Sequence, residues 1–425
     1  MDWKRILMII KTRHKLLAIS ITLLTAVLLT YATEIKRLYQ VVTFYDKDKI
    51  VNNFLNMHKI FSATELQAST KPFHFQPSNN EYTKIPTHFR FADEDIQVDD
   101  FLDESRSTGL LVIKNDQIIT ENYYLGHSEN KVHTSFSMSK SFISALFGIA
   151  IEEGYIGNIE QSVTDYVPEL EGSGYDGVRI KDVLQMSSGV EFNEDYGDFY
   201  SDINRFGRSM ALGTPLDEFS ASLKRGREPG TYNHYVSIDT QVLGMILTRA
   251  TGLGLSAYLQ DKIWQPLGME QNAYWVTDDS GMEAALCCMS VGLKDYAKFA
   301  RLYLHQGNWN GQQIIPAQWV ENSTSPDAPH LMAGMDNPNS SSKFGYGFQW
   351  WLPLGGEDEF MAIGIYGQYI YIDPDQELII VKNSANHRYT EPKAHWTDQH
   401  LALFRAISNQ VKQSDPDAIA KVESP

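Results

Sequence analysis

The chain has 425 residues, 43% hydrophobic and 12% aromatic, with a formal net charge of −17. That length and composition support a packed core, in one large domain plus a smaller unit or an insertion, and exclude a disordered chain. The acidic balance excludes nucleic acid as the expected partner, because phosphate binding needs a basic footprint; the acidity itself serves solubility.

The N-terminus reads as a targeting or anchoring segment. Residues 1–15 carry Lys4, Arg5, Lys11, Arg13 and Lys15, and residues 16–33 are uncharged. As a helix, that run spans about 27 Å, close to the hydrocarbon core of a bilayer. Basic residues on its first flank predict a single-pass transmembrane anchor with the remainder outside the cytoplasm. The expected setting is a bacterial inner membrane with the catalytic domain in the periplasm. Thr30-Tyr31-Ala32 offers a weak cleavage site, so secretion after signal cleavage is the alternative. Residues 34–86 read as a stalk and linker, with Pro72, Pro77 and Pro86 toward its end.

The expected domain covers residues 87–412. Gly109–Ile113 and Ile118–Tyr124 are apolar, β-rich runs around the polar Lys114-Asn115-Asp116-Gln117, which predicts a hairpin. An apolar helix follows from about Ser137. From about 158 to 335 the signals are helices and loops: Ile180–Met186, Thr240–Thr251 closed by Gly252, and Leu293–Gln306 stopped by Gly307. Phe344–Trp351 returns to strand. Phe360–Ile372 and Glu377–Asn383 flank Asp373-Pro374-Asp375-Gln376 as a second hairpin, and Glu391–Val411 reads as a closing helix. Residues 413–425 are a polar tail. Strands at both ends of the domain and helices between them predict an antiparallel sheet built from the two ends, flanked by helices, with a mostly helical insertion.

Cys287 and Cys288 are adjacent. A bond between neighbours is strained, so two buried thiols are expected. No set of Cys and His has zinc-ligand spacing, and no metal or cofactor is expected. His395 and His400 are expected on a surface helix.

The chemistry concentrates at Ser137-Met138-Ser139-Lys140. Ser-x-x-Lys puts a hydroxyl and an amine on one helical face. The pattern occurs three times, but Ser128-Lys131 and Ser340-Lys343 lie in polar stretches and read as solvated loops. Only Ser137 sits where a loop meets a hydrophobic helix, whose free N–H groups favour an oxyanion. Serine needs a neighbour to take its proton, and lysine can do so only with a depressed pKa. Ser137 is therefore the candidate nucleophile and Lys140 its base, against the plainer reading of Ser137 as a helix cap. No Gly-x-Ser-x-Gly elbow occurs in the chain.

Three segments in order, Ser137-Lys140, Tyr235-Val236-Ser237 and Gly364-Ile365-Tyr366-Gly367-Gln368, resemble the penicillin-recognising serine hydrolases: class C β-lactamases, D-alanyl-D-alanine carboxypeptidases and family VIII esterases. Val183–Gly189, Pro266–Glu270 and Tyr346–Trp351 are also similar, and the resemblance spans about residues 87 to 410. The subgroup it is most similar to contains an amidase of 6-aminohexanoate dimers. The resemblance implies a β-lactamase/transpeptidase-like α/β fold and an acyl-enzyme on Ser137, formed from a small-molecule amide or ester. It implies Tyr235 as proton shuttle beside Lys140, an oxyanion hole from the N–H groups of Ser137 and Ile365, and substrate contacts from Tyr196, Ser237, Tyr366 and Gly367. Where the family keeps Lys-Thr-Gly, this chain has Ala362-Ile363-Gly364, which weakens β-lactam hydrolysis and carboxypeptidase activity as expectations. The residues around Tyr196, Asn193 to Tyr200, read equally as a solvated acidic loop, and His234 reads as structural. A different class of function also stands: a catalytically weak relative, tethered to the membrane as a binding module.

Overall fold

The computed structural model describes residues 3–78, 84–356, 358–391 and 394–413. The polar tail beyond 413 and part of the expected linker, 79–83, lie outside the described residues. The chain divides into two compact units, Met1–Tyr45 and Asp46–Pro425. The segment 46–78, expected as stalk and linker, belongs to the larger unit and contributes strands to both of its main sheets.

The first unit is helical, with Trp3–Thr30 followed by Ala32–Val42. Among the described residues no single helix is long and apolar enough to cross a membrane. The expected anchor at 16–33 is corrected on this point. The first helix ends at Thr30, so its uncharged part runs only from 16 to 30, short of the ~20 apolar residues a span takes. The next helix already carries Lys36 and Arg37.

The larger unit is built on an eight-stranded sheet. Its order is Gly345–Tyr346, Trp351–Leu352, Phe360–Gly364, Gln368–Asp373, Leu378–Ser384, Ser107–Lys114, Gln117–Tyr123 and Gln76–Pro77. All pairs are antiparallel except the last. Leu378–Ser384 beside Ser107–Lys114 joins the two ends of the domain, as the strand pattern predicts. Both strands are buried along nearly their whole length, with apolar runs at residues 110–113 and 378–381, because both faces are covered. On one face Leu110, Val112, Tyr369, Tyr371, Leu378 and Ile380 pack with Phe404 and Ile407 of the closing helix, Trp396–Gln413. Helix Leu293–Leu304 packs across the same three central strands.

Two expectations are corrected here, and a third is filled in. Phe360–Ile372 is not one strand; it turns at Ile365-Tyr366-Gly367, with Gly367 at φ 90°. The 158–335 region is mostly helices and loops, as expected, with short strands among them. It supplies Ala273–Val276 and Met289–Gly292 to a second antiparallel sheet, with order Ala63–Leu66, Ala273–Val276, Met289–Gly292, Val132–Thr134. Cys287 and Cys288 are joined by a disulfide rather than being two thiols. Cys288 takes a left-handed backbone (φ 74°), which lets the neighbouring side chains meet.

Candidate active site

The small sheet delivers the candidate nucleophile, Ser137. Its edge strand Val132–Thr134 runs straight into Ser135, whose N–H donates to Met289 O at 2.6 Å, while Met289 N donates to Ser135 Oγ at 3.1 Å. Phe136 then turns with φ 43°, and Phe136–Met138 form one 3-10 turn that opens helix Ser139–Glu152. Ser137 thus stands at a helix start, where the sequence places it.

Lys140 lies one turn on and is 2% exposed. Its Nζ donates to Leu286 O at 2.6 Å and to Ser137 Oγ at 3.1 Å. Burial pulls the amine down to about 7; the carboxylates of Glu194 and Asp239 pull the other way. An amine at that value is neutral in a large share of molecules at neutral pH, and a neutral amine accepts a proton.

Tyr235 lies across from this pair, its ring centroid 5.4 Å from Lys140 Nζ. Trp351 stacks on it at 5.2 Å, and Tyr346 meets it edge-on at 6.3 Å, so aromatic contacts fix the ring. Burial, then the Glu194 charge, holds the phenol far above its ordinary value; interactions with the Ser137 and Ser237 hydroxyls oppose this. Tyr235 is therefore held as a neutral phenol, a form able to donate a proton.

Ser137 and Tyr235 open on a cavity of about 240 Å³, lined also by Tyr196, Trp351, Ile363, Ile365, Tyr389 and Thr390. Among the described residues its walls are aromatic, aliphatic and hydroxyl-bearing, with no cation. Gly364 is needed for this approach: a Cβ there would lie 2.4 Å from Ser135 O, so any side chain would push the strand carrying Ile365 off the nucleophile turn. Gln368 braces the turn, donating to Ser384 O at 2.7 Å.

The cavity gathers Ser137, Tyr235, Tyr196 and Ile365 from the expected set, with Lys140 beneath them. It does not gather Ser237, Tyr366 or Gly367. Ser237 is fully buried, and its N–H donates to Glu194 Oε1 at 2.8 Å. Tyr366 points into an aromatic cluster, with Phe54 and Phe136 each at 5.4 Å. The loop carrying Tyr196 leaves Asp195 and Asp198 exposed, as a solvated acidic loop would, but it is tied to the domain. Asn204 Nδ2 donates to Tyr196 O at 3.1 Å and Asp198 O at 2.8 Å, and Glu194 turns inward.

Sequence reasoning missed Tyr389 and Thr390, which lie in a loop without a periodic pattern, and Asp239, which looks like an ordinary residue of a helix start. Trp351 lies in a stretch read as strand and as similar to the family, without a site role. The two other Ser-x-x-Lys pairs stay apart from the site: Lys131 donates to Gly126 O at 2.5 Å, and Lys343 pairs with Asp398 at 2.6 Å. His400 is not on the surface; it is fully buried and stacks on Tyr369 at 4.6 Å. A larger cavity, about 540 Å³ and lined by Glu191, Asp202, Arg227, Tyr232 and His234 among others, shares no lining residue with the Ser137 cavity.

Comparison with known proteins decides the family. The β-lactamase family model matches residues 97–403, well over half of the chain. The chain belongs to the β-lactamase family. Among curated relatives, a 6-aminohexanoate-dimer hydrolase of Paenarthrobacter ureafaciens is 31% identical over 315 residues, 72% of this chain and 79% of that one. Two solved structures share the fold. The Bacillus anthracis protein described as "Putative 6-aminohexanoate-dimer hydrolase" has a TM-score of 0.75 at 24% identity, covering 87% of this chain and 95% of its own. A penicillin binding protein of Bacillus halodurans has a TM-score of 0.56 at 14% identity, covering 73% and 99%. The protein is accordingly a serine hydrolase of the amidase and esterase type on a β-lactamase/transpeptidase-like α/β fold.

Proposed function

We propose that this β-lactamase-family enzyme cleaves a small amide or ester through an acyl-enzyme on Ser137. The observation that carries the assignment is Lys140: a buried amine, drawn down to about 7, with Ser137 Oγ at 3.1 Å. Lys140 takes the Ser137 proton as Oγ attacks the carbonyl carbon. The N–H groups of Ser137 and Ile365, both on the cavity wall, receive the developing oxyanion. Tyr235, held neutral, gives its proton to the departing nitrogen or oxygen and recovers one from Lys140. Water then repeats the sequence on the acyl-enzyme.

The uncharged cavity supports a neutral, apolar group next to the scissile bond, and with Ala362 in the family's lysine position it speaks against β-lactams as the main substrate. A pure binding module gives no reason to seal a lysine against a serine at the cost of its charge. Intact-protein mass spectrometry with a fluorophosphonate tests the reading: one adduct on the wild type and none on Ser137→Ala is expected, and an unlabelled but folded wild type would overturn it. We also propose that the N-terminal segment directs the domain to the periplasm, on the order of its basic and apolar residues. Activity confined to the cytoplasmic fraction of the source cell would contradict that.

A further inference from the structure

Two buried carboxyl groups that the mechanism above leaves idle, those of Glu194 and Asp239, act electrostatically on the Lys140 amine. Asp239 already receives two hydroxyls on Oδ1, from Tyr175 at 2.7 Å and Ser188 at 2.8 Å. Glu194 receives one N–H, that of Ser237, on Oε1 at 2.8 Å. Its Oε2 is closed off from solvent with no hydrogen-bond partner. Burial pushes the Glu194 carboxyl up from its ordinary value, and the Ser237 hydrogen bonds and any charge on Lys140 pull it back, so the carboxylate is best held when Lys140 carries a proton. The loop is built to hold it there: Asn204 ties down the carbonyls of Tyr196 and Asp198 immediately beyond.

We propose that Glu194 is a positioning residue for proton transfer from Ser137, its carboxylate supplying the negative charge that steadies the ammonium formed on Lys140. The inference rests on Lys140 being the base. In the step concerned, the Ser137 Oγ–H bond breaks and an Nζ–H bond forms. The Oγ electron pair makes the bond to the carbonyl carbon, and the carbonyl π pair moves onto its oxygen. A cation appears on Lys140 that was absent before, so a fixed anion beside it is worth more in the transition state than at rest. The charged groups acting on Lys140 are Glu194 from the loop and Asp239 from helix Ser237–Thr251, with the Tyr235 ring opposite; of the two acids, Glu194 acts more strongly.

Glu194→Gln in the full chain tests this, because the amide oxygen still accepts the Ser237 N–H while the charge is lost. The rate of fluorophosphonate labelling and of p-nitrophenyl ester hydrolysis is followed against pH. Removing the anion makes the ammonium less stable, so Lys140 loses its proton at lower pH. The acid limb is expected to move to lower pH, and the plateau to fall about tenfold because the base is weaker. A shift of the limb without a fall, or a fall without a shift, overturns the proposal, as does an unchanged profile. Glu194→Asp keeps the charge and is expected to keep the limb in place; a limb that moves as far as in Glu194→Gln overturns it too. Should Glu194→Gln not fold, Asn204→Ala, which releases the loop, is expected to move the limb in the same direction, and a fixed limb counts against the proposal. A wild type that never labels sinks the hydrolase reading itself; a wild type that labels beside an unmoved limb sinks only this one.

Discussion

Lys140 and Lys382 are both buried lysines, and burial lowers the proton affinity of each. Lys140 sits at a helix start, with a serine hydroxyl at 3.1 Å, two carboxyl groups raising its affinity again, and a cavity at its door. Lys382 sits mid-strand between Tyr369 and Leu110, with Ser384 Oγ as its hydrogen-bond partner and only desolvation shifting it. Both would be flagged by a search for perturbed amines. Chemistry needs more than perturbation: a group to exchange the proton with, charge to steady the product, and access for a substrate.

The comparison breaks if the two lysines respond alike to removal. Lys140→Ala is expected to lower acylation by on the order of 10³-fold while circular dichroism and melting show an intact fold. Lys382→Met is expected to leave the labelling rate of folded protein where it was. Labelling by Lys140→Ala at the wild-type rate would remove lysine from the mechanism.

Tyr235→Phe removes the next proton carrier in the proposed mechanism. An amine leaving group needs a proton and p-nitrophenolate does not. The expected loss is therefore about 10²-fold on amides and less than about tenfold on p-nitrophenyl esters. Equal losses on both would return Tyr235 to a packing role under Trp351. Access is the smaller effect. Gly364→Ala pushes the Ile365 strand off Ser135 and is expected to cost on the order of tenfold in kcat. An unchanged kcat would separate that strand from the oxyanion.

What could be read from sequence follows the same division. The lysine was legible because helix geometry ties residues 137 and 140 together locally, whatever the rest of the chain does. The two-ended sheet was legible because Ser107–Lys114 and Leu378–Ser384 are long enough to show their apolar character. The second sheet was not: its strands are three or four residues long, too short for periodicity to rise above composition. Yet that sheet carries the chain into Ser137. Glu194 stood in view as part of an acidic loop, but its inward turn depends on Asn204 and Ser237, a tertiary fact. The break at Tyr31 that shortens the apolar helix likewise has no proline or glycine to announce it.

The smallest expected effect belongs to Lys382 and concerns stability alone. Its pKa is lowered in the folded chain relative to the unfolded one. Between the lowered value and the ordinary 10.5, the unfolded state therefore binds the proton and the folded state does not. Stability must rise with pH across that window and fall as pH drops through it, by at most about 1.4 kcal/mol per pH unit for a single proton. Methionine at 382 keeps a comparable apolar stem and removes the proton. The slope of melting temperature against pH should flatten between neutral and alkaline pH, with the variant gaining most, about 1 kcal/mol or more, at the lower end. His133 and His400 are also held neutral by burial, with Lys382 adding to both, so the variant should resist acid somewhat further as well. A variant whose slope matches the wild type would mean that Lys382 keeps its proton inside the sheet, and that the two lysines differ in charge as well as in setting.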